Sequence, residues 1–247
     1  MTTSGAGVRL DDSVALSGKP WLVRRLVRRL VAMLERIVAP VGDDSQMIKA
    51  VVFDIGGVLE ITPRTGWEQT WCDRLSLTRV QLIGRLEPVS ARGGLGTLSL
   101  PEVECEIARV LALGDPELRA LMTDVWTEYL GTLNHRLAGY FARLRPRYRT
   151  GILSNSFVGA REREQAAYGF AEICDVIVYS HEEGVKKPDA RAYRIVCQRL
   201  GVRPHETVFL DDARECVDGA RDAGMTAIRF CDNDQAIAEL DARLGLA

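Results

Sequence analysis

Hydrophobic positions change their spacing three times along this 247-residue chain. From Trp21 to Val38 they recur at about 100° per residue. Leu22, Val23, Leu26, Val27, Leu30, Val31, Met33, Leu34, Ile37 and Val38 share one half of a helical wheel, and Arg24, Arg25, Arg28, Arg29 and Arg36 fill the other. An amphipathic helix is expected there, after an aperiodic stretch (1–18) rich in Gly, Ser, Thr and Asp that reads as a disordered tail. Ile48 to Phe53 is a continuous apolar run, the pattern of a parallel strand buried on both faces. Residues 66 to 145 then show helical spacing without a convincing strand. Helices are predicted at Trp67 to Leu86, Leu100 to Leu113, Pro116 to Leu130 and Arg136 to Leu144, with Gly93-Gly94-Leu95-Gly96 and Asp115-Pro116 as separators. From Arg149 onward strands and helices alternate. Arg149 to Ser154, Val176 to Ser180, Thr207 to Leu210 and Thr226 to Phe230 are β-rich, and helices fall near 160–168, 189–200, 213–223 and 233–244.

That order predicts an α/β fold, a doubly wound parallel sheet with an inserted helical cap. The expected division is a tail plus basic helix at 1–46, an α/β core at 47–63 and 139–247, and the cap at 64–138. A hydrophobic content of 47% is enough for a sizeable core. The net charge of -2 gives no global reason to bind nucleic acid. Six cysteines stand far apart, with no Cys-x-x-Cys pair, and the three histidines lack zinc-ligand spacing, so reduced thiols and no zinc site are expected. No apolar run reaches the roughly 18–20 residues of a membrane span, and no signal-peptide core opens the chain, so a cytoplasmic protein is the expectation. The basic helix leaves three readings open: docking on the core or a second subunit, peripheral contact with an anionic membrane through residues 20–38, or a true start at Met47.

Ligands of open α/β sheets bind at the carboxyl ends of the strands. Reading those ends gives Asp54, then Ser154-Asn155, then Lys186-Lys187-Pro188, then Asp211-Asp212. Carboxylates around a lysine and a hydroxyl suit a hard divalent cation and a phosphate. Asp54 can attack phosphorus, while Ser154 and Lys187 bind the phosphoryl oxygens and stabilise charge. Gly56 and Gly57 let the backbone turn sharply beside that ligand.

These segments resemble the four motifs of the haloacid dehalogenase-like hydrolase superfamily, over residues 48 to 231. They are Phe53-Asp54-Ile55-Gly56-Gly57-Val58-Leu59, Ile152-Leu153-Ser154-Asn155-Ser156, Gly184-Val185-Lys186-Lys187-Pro188-Asp189 and Val208-Phe209-Leu210-Asp211-Asp212. In style they are similar to the capped sugar-phosphatase-like members with Asp-x-Gly in the first motif. The resemblance implies a Mg²⁺-dependent phosphatase acting on a small phosphorylated metabolite through an aspartyl-phosphate. By the same resemblance Asp54 is nucleophile and metal ligand, the Gly56 carbonyl and Asp212 complete the metal site, Asp211 orients Lys187, and Ser154 and Asn155 hold the phosphoryl group.

The family's phosphatases carry a general acid-base aspartate two residues after the nucleophile, where this chain has Gly56. Its loss costs typically about 10²- to 10⁴-fold in rate, so the expectation is either slow turnover or a proton supplied by the substrate, water or a cap residue. Cys216 stands where relatives have Asp or Asn near the metal. Two alternatives follow: a binding or regulatory module that keeps the fold, and a metal-free dehalogenase, against which the Asp211-Asp212 pair argues. Arg64, Trp67, Arg92 and His135 are cap residues that read as structural or solvated rather than as substrate contacts.

Overall fold

The structure, a computed structural model, describes residues 47–246. The helix predicted over Trp21 to Val38 and the tail before it lie outside the described residues.

The strands, in chain order, are β1 Ala50–Phe53, β2 Glu60–Ile61, β3 Thr132–Leu133, β4 Arg149–Ser154, β5 Val176–Tyr179, β6 Thr207–Asp211 and β7 Thr226–Arg229. Five of them form one parallel sheet in the order β5-β4-β1-β6-β7. β1 lies at its centre, with Phe53 opposite Ile152 of β4 and Leu210 of β6. All four of its residues are buried, which is why its run is apolar rather than alternating. Side chains still alternate between the two faces. Val51, Phe53, Ile152, Val208 and Leu210 pack against helices His135–Leu144 and Asn233–Leu244. Ala50, Val52, Leu153 and Phe209 meet helices Ala190–Leu200 and Arg214–Asp222 on the other side. Phe53 stacks on Phe141 with centroids 4.5 Å apart. Each such fully buried aromatic or branched side chain contributes about 1.5–3 kcal/mol by leaving water.

The cap comprises helices Trp67–Leu75, Arg79–Gly94, Leu100–Leu111 and Asp115–Leu130, around a core of its own that includes Trp71, Leu82, Val103, Leu121 and Trp126. The single helix predicted over Trp67 to Leu86 is two. Ser76 adopts φ 52°, in the left-handed region that closes a helix, and Thr78 restarts it through a capping box with Gln81. The second helix then continues through Pro88 to Gly94, into the glycines expected to end it. Their role is close approach. A Cβ on Gly93 would sit 2.5 Å from the Phe157 ring, and one on Gly96 would sit 1.8 Å from the His181 carbonyl oxygen. The Ser180 hydroxyl also donates to the Gly94 carbonyl at 2.8 Å, so this segment seats the cap on the core.

Two further features differ from the expected pattern. β2 and β3 form an antiparallel pair, Glu60 opposite Leu133, where the chain crosses between core and cap. Strands of two residues are too short to show a period. Helix His135–Leu144 packs against the sheet along its whole length through Leu137, Tyr140, Phe141 and Leu144, so the core resumes before residue 138. No helix among the described residues is long and apolar enough to cross a membrane.

Candidate active site

Parallel strands with in-register neighbours bring Asp54, Ser154 and Asp211 to one edge of the sheet. The Asp54 amide donates to the Leu210 carbonyl at 2.9 Å, which extends the β1–β6 ladder by one residue. Asp54 Oδ1 accepts from its neighbour's amide, Ile55, at 2.8 Å. Asp211 closes β6, and its Oδ1 accepts from the Ala213 amide at 2.9 Å at the entry to helix Arg214–Asp222.

Lys187 reaches this edge from the loop after β5. Its buried ammonium lies 2.7 Å from Asp54 Oδ1 and 2.7 Å from Asp211 Oδ2. Lys186, beside it in sequence, is exposed. Asn155 locks the lysine in place: the Lys187 amide donates to its Oδ1 at 2.8 Å, and its Nδ2 donates to the Lys187 carbonyl at 3.0 Å. Both ends of the side chain expected on the phosphoryl group are therefore engaged on Lys187. Ser154 is buried, and its hydroxyl makes no hydrogen bond to any described residue, which leaves it for a ligand.

Electrostatics follow from this packing. Burial, the largest influence, pushes the Asp54 carboxyl up to about 7 against the opposing pull of Lys187. For Lys187, burial alone would favour the neutral amine, but Asp54 and Asp211 outweigh it and hold the proton more tightly than usual. Burial and then the charge of Asp211 raise Asp212.

Oxygens of Asp54, Asp211 and Asp212 lie within 4.8 Å of one another. With Asp211 spent on Lys187 and Ala213, Asp54 and the exposed Asp212 are the carboxylates left to face a cation. Gly57 makes this approach feasible. It sits at φ +71°, and a Cβ there would come 2.6 Å from Asp212 Oδ2. Hard oxygen donors at this spacing fit Mg²⁺. Gly56 is different, since a Cβ on it would meet nothing within 4 Å.

A family model of haloacid dehalogenase-like hydrolases matches residues 48–224, a span that holds every one of these groups. The chain belongs to this family. It is 32% identical over 195 residues to a phosphatase of Mycobacterium tuberculosis, covering 73% of this chain and 86% of that one. Against a D-ribitol-5-phosphate phosphatase of Bacteroides thetaiotaomicron the identity is 25% over 189 residues, 72% of this chain and 90% of that one. A haloacid dehalogenase-family enzyme of the same bacterium, solved with magnesium and inorganic phosphate, shares the fold with a TM-score of 0.65 at 18% identity, over 77% of this chain and 98% of that one.

Other residues singled out in this haloacid dehalogenase-like chain form no hydrogen bond or ion pair with Asp54, Asp211 or Asp212 among the described residues. Arg64 and Trp67 line a surface groove of about 480 Å³ with Glu68, Arg79 and Glu128. Arg92 is exposed, its carbonyl taken by the Thr97 amide, and His135 is exposed at a helix start. The Cys216 thiol is buried and pushed up to about 12, and the Cys216 carbonyl accepts from Tyr193 Oη at 2.7 Å. Sequence reasoning passed over Tyr129 and Glu164. Tyr129 lies in the last turn of cap helix Asp115–Leu130, and Glu164 lies on helix Ala160–Tyr168, whose apolar residues are three alanines and a terminal tyrosine. Nothing in their spacing distinguished them.

Proposed function

We propose that this haloacid dehalogenase-like hydrolase is a Mg²⁺-dependent phosphatase of small phosphorylated metabolites, sugar or sugar-alcohol phosphates foremost, working through an aspartyl-phosphate on Asp54. The observation that carries this reading is the Lys187 ammonium shared between Asp54 and Asp211, with the open Asp212 carboxylate alongside. Such a centre sets an ammonium against a carboxylate nucleophile, and a cation held by the remaining carboxylates would add the positive charge that transfer of an anionic phosphoryl group requires. The phosphatase relatives point the same way.

Asp54 attacks phosphorus through the oxygen not engaged by Ile55 and Lys187. Lys187 and Ser154 bind the phosphoryl oxygens and stabilise charge as the bond to the leaving oxygen lengthens. Asp211 keeps Lys187 aimed, and Asn155 fixes the backbone that carries it. Asp54, Asp212 and the Gly56 carbonyl would hold the metal. When bound, Mg²⁺ supplies charge that keeps Asp54 ionised and neutralises the substrate.

The test is hydrolysis across a panel of sugar phosphates, nucleotides and p-nitrophenyl phosphate, with wild type, Asp54→Asn and added chelator. Phosphate release that needs both Asp54 and magnesium is expected. Release that survives Asp54→Asn, or none on any ester, would favour the binding-module alternative.

A further inference from the structure

Among the described residues, no carboxyl at the catalytic edge is free of both Lys187 and the metal site to hand a proton to the departing oxygen. Gly56 has no side chain, and Lys187 and Asp211 are tied to each other at 2.7 Å. An alkoxide is a strong base, and general acid help is worth about 10²- to 10⁴-fold. A chain that cleaves alkyl phosphates therefore gains from a donor elsewhere.

Glu164, on helix Ala160–Tyr168, is a carboxyl with no part in the metal site and only 2% exposed. Tyr179 Oη donates to its Oε2 at 2.5 Å. A second phenol, Tyr129, lies beside the same carboxyl and the Phe157 amide, at the last turn of cap helix Asp115–Leu130. Its ring stands edge-on to Trp126 at 5.2 Å, and Trp126 is edge-on to Phe157 at 6.2 Å. Phe157 follows Ser154-Asn155-Ser156, so this aromatic chain fastens Tyr129 to the loop leaving the phosphoryl-binding strand. Tyr129 is half-buried, and its hydroxyl is raised by burial and by Glu164, with a smaller contribution from the charge of Asp54. Burial pushes Glu164 up to about 7, against the hydroxyls of Tyr179 and Tyr129 and the charge of Arg161, so near neutrality it carries a proton it can release.

We propose that Tyr129 is the proton donor and acceptor that stands in for a carboxylate at position 56, with Glu164 as the positioning residue that reloads it. This rests on the phosphatase reading above. In the first half-reaction an Asp54 oxygen bonds phosphorus and the bond from phosphorus to the alkyl oxygen breaks. The electron pair stays on that oxygen, which takes the Tyr129 proton while the Glu164 carboxyl passes its own to Tyr129. In the second half-reaction water bonds phosphorus and its proton travels through Tyr129 to the Glu164 carboxylate. Asp54 leaves with its electron pair. One water is consumed, and both residues end as they began. Transfer from a phenol to an alkoxide runs downhill even with the phenol held above its usual range by burial.

The experiment compares kcat/KM on the fastest alkyl phosphate of the panel with that on p-nitrophenyl phosphate, whose leaving phenolate needs little protonation. Tyr129→Phe is expected to cost about 10²- to 10⁴-fold on the alkyl ester and less than about tenfold on the aryl ester. Glu164→Gln, which keeps the size of the side chain, is expected to show the same split to a smaller degree. Gly56→Asp in the Tyr129→Phe background is expected to restore alkyl ester turnover, since a Cβ at position 56 meets nothing within 4 Å. Equal losses on both esters would assign Tyr129 a structural role and overturn the proposal, as would an undiminished alkyl ester rate. A wild type that cleaves neither ester in an Asp54-dependent way would instead sink the phosphatase reading, and this proposal with it.

Discussion

Burial pushes two carboxyls of this molecule, Asp54 and Glu164, up to about 7, yet their neighbours suit them to opposite tasks. Asp54 faces an ammonium at 2.7 Å and sits beside Asp212 and the turn of Gly57, where a cation fits. Glu164 faces phenols. A full positive charge stabilises the carboxylate form, which is the form that attacks. A phenolic hydroxyl both donates and accepts a proton, so a carboxyl in its company is placed to exchange one. The difference teaches that burial raises a carboxyl's proton affinity without deciding its use. The partner decides.

The sharpest way to break this contrast is to remove the charge from the Asp54 side. Lys187→Met leaves Asp54 and Asp211 buried without their shared cation. Loss of a buried pair's partner costs about 3–5 kcal/mol, and loss of one electrostatic stabiliser costs about 10²- to 10³-fold in kcat. Urea unfolding and steady-state kinetics read both, and a variant with wild-type kcat would remove Lys187 from the mechanism. Gly57→Ala comes next. The added carbon would crowd Asp212 Oδ2 at 2.6 Å, in a backbone conformation that disfavours side chains. The magnesium concentration for half-maximal activity is expected to rise about 10- to 100-fold, as for other losses of support around a metal ligand. An unchanged magnesium titration would show that Asp212 does not meet the cation.

The smallest effect is on stability against pH in the metal-free protein. Glu60, buried where the chain crosses into the cap, is also pushed up to about 7 by burial, from an ordinary value of 4.5. With Glu164 and Asp54 it binds more protons folded than unfolded in that interval. Their contribution is therefore complete at low pH and is lost as pH rises from about 4.5 through about 7. The carboxyls held below their ordinary values, Glu206 and Asp189 among them, act on the acid side of that window. The melting temperature is expected to fall between pH 5 and 8, and the slope to flatten in Glu60→Gln combined with Glu164→Gln. A melting temperature that climbs across the same interval would contradict the assignment.

Much of this architecture was legible because it depends on local patterning. The unbroken apolar run of β1 marks a central strand, and polar residues at or after the ends of β1, β4, β5 and β6 mark the edge where Asp54, Ser154, Lys187 and Asp211 gather. Thr78-Arg79-Val80-Gln81 even carried the signal of the helix start that divides the first predicted cap helix. Other features depend on contacts between distant segments. Asn155 stands beside Ser154 in the same motif, yet its hydrogen-bond partner lies 32 residues along the chain. The pairing of β2 with β3 and the meeting of Tyr129, Glu164 and Tyr179 exist only once the cap has closed on the core.

Gly56 and Gly96 look interchangeable on paper, each a glycine in a glycine-rich stretch. Structurally they are opposites, one with open space where a side chain would go, the other with a carbonyl oxygen 1.8 Å from that point. A randomised library at position 56 should yield many folded members, a free slot in which new chemistry can be tried. The same library at position 96 should collapse to glycine. The molecule thus keeps its room for adaptation on the floor of the crevice, while the seam that holds its roof has none.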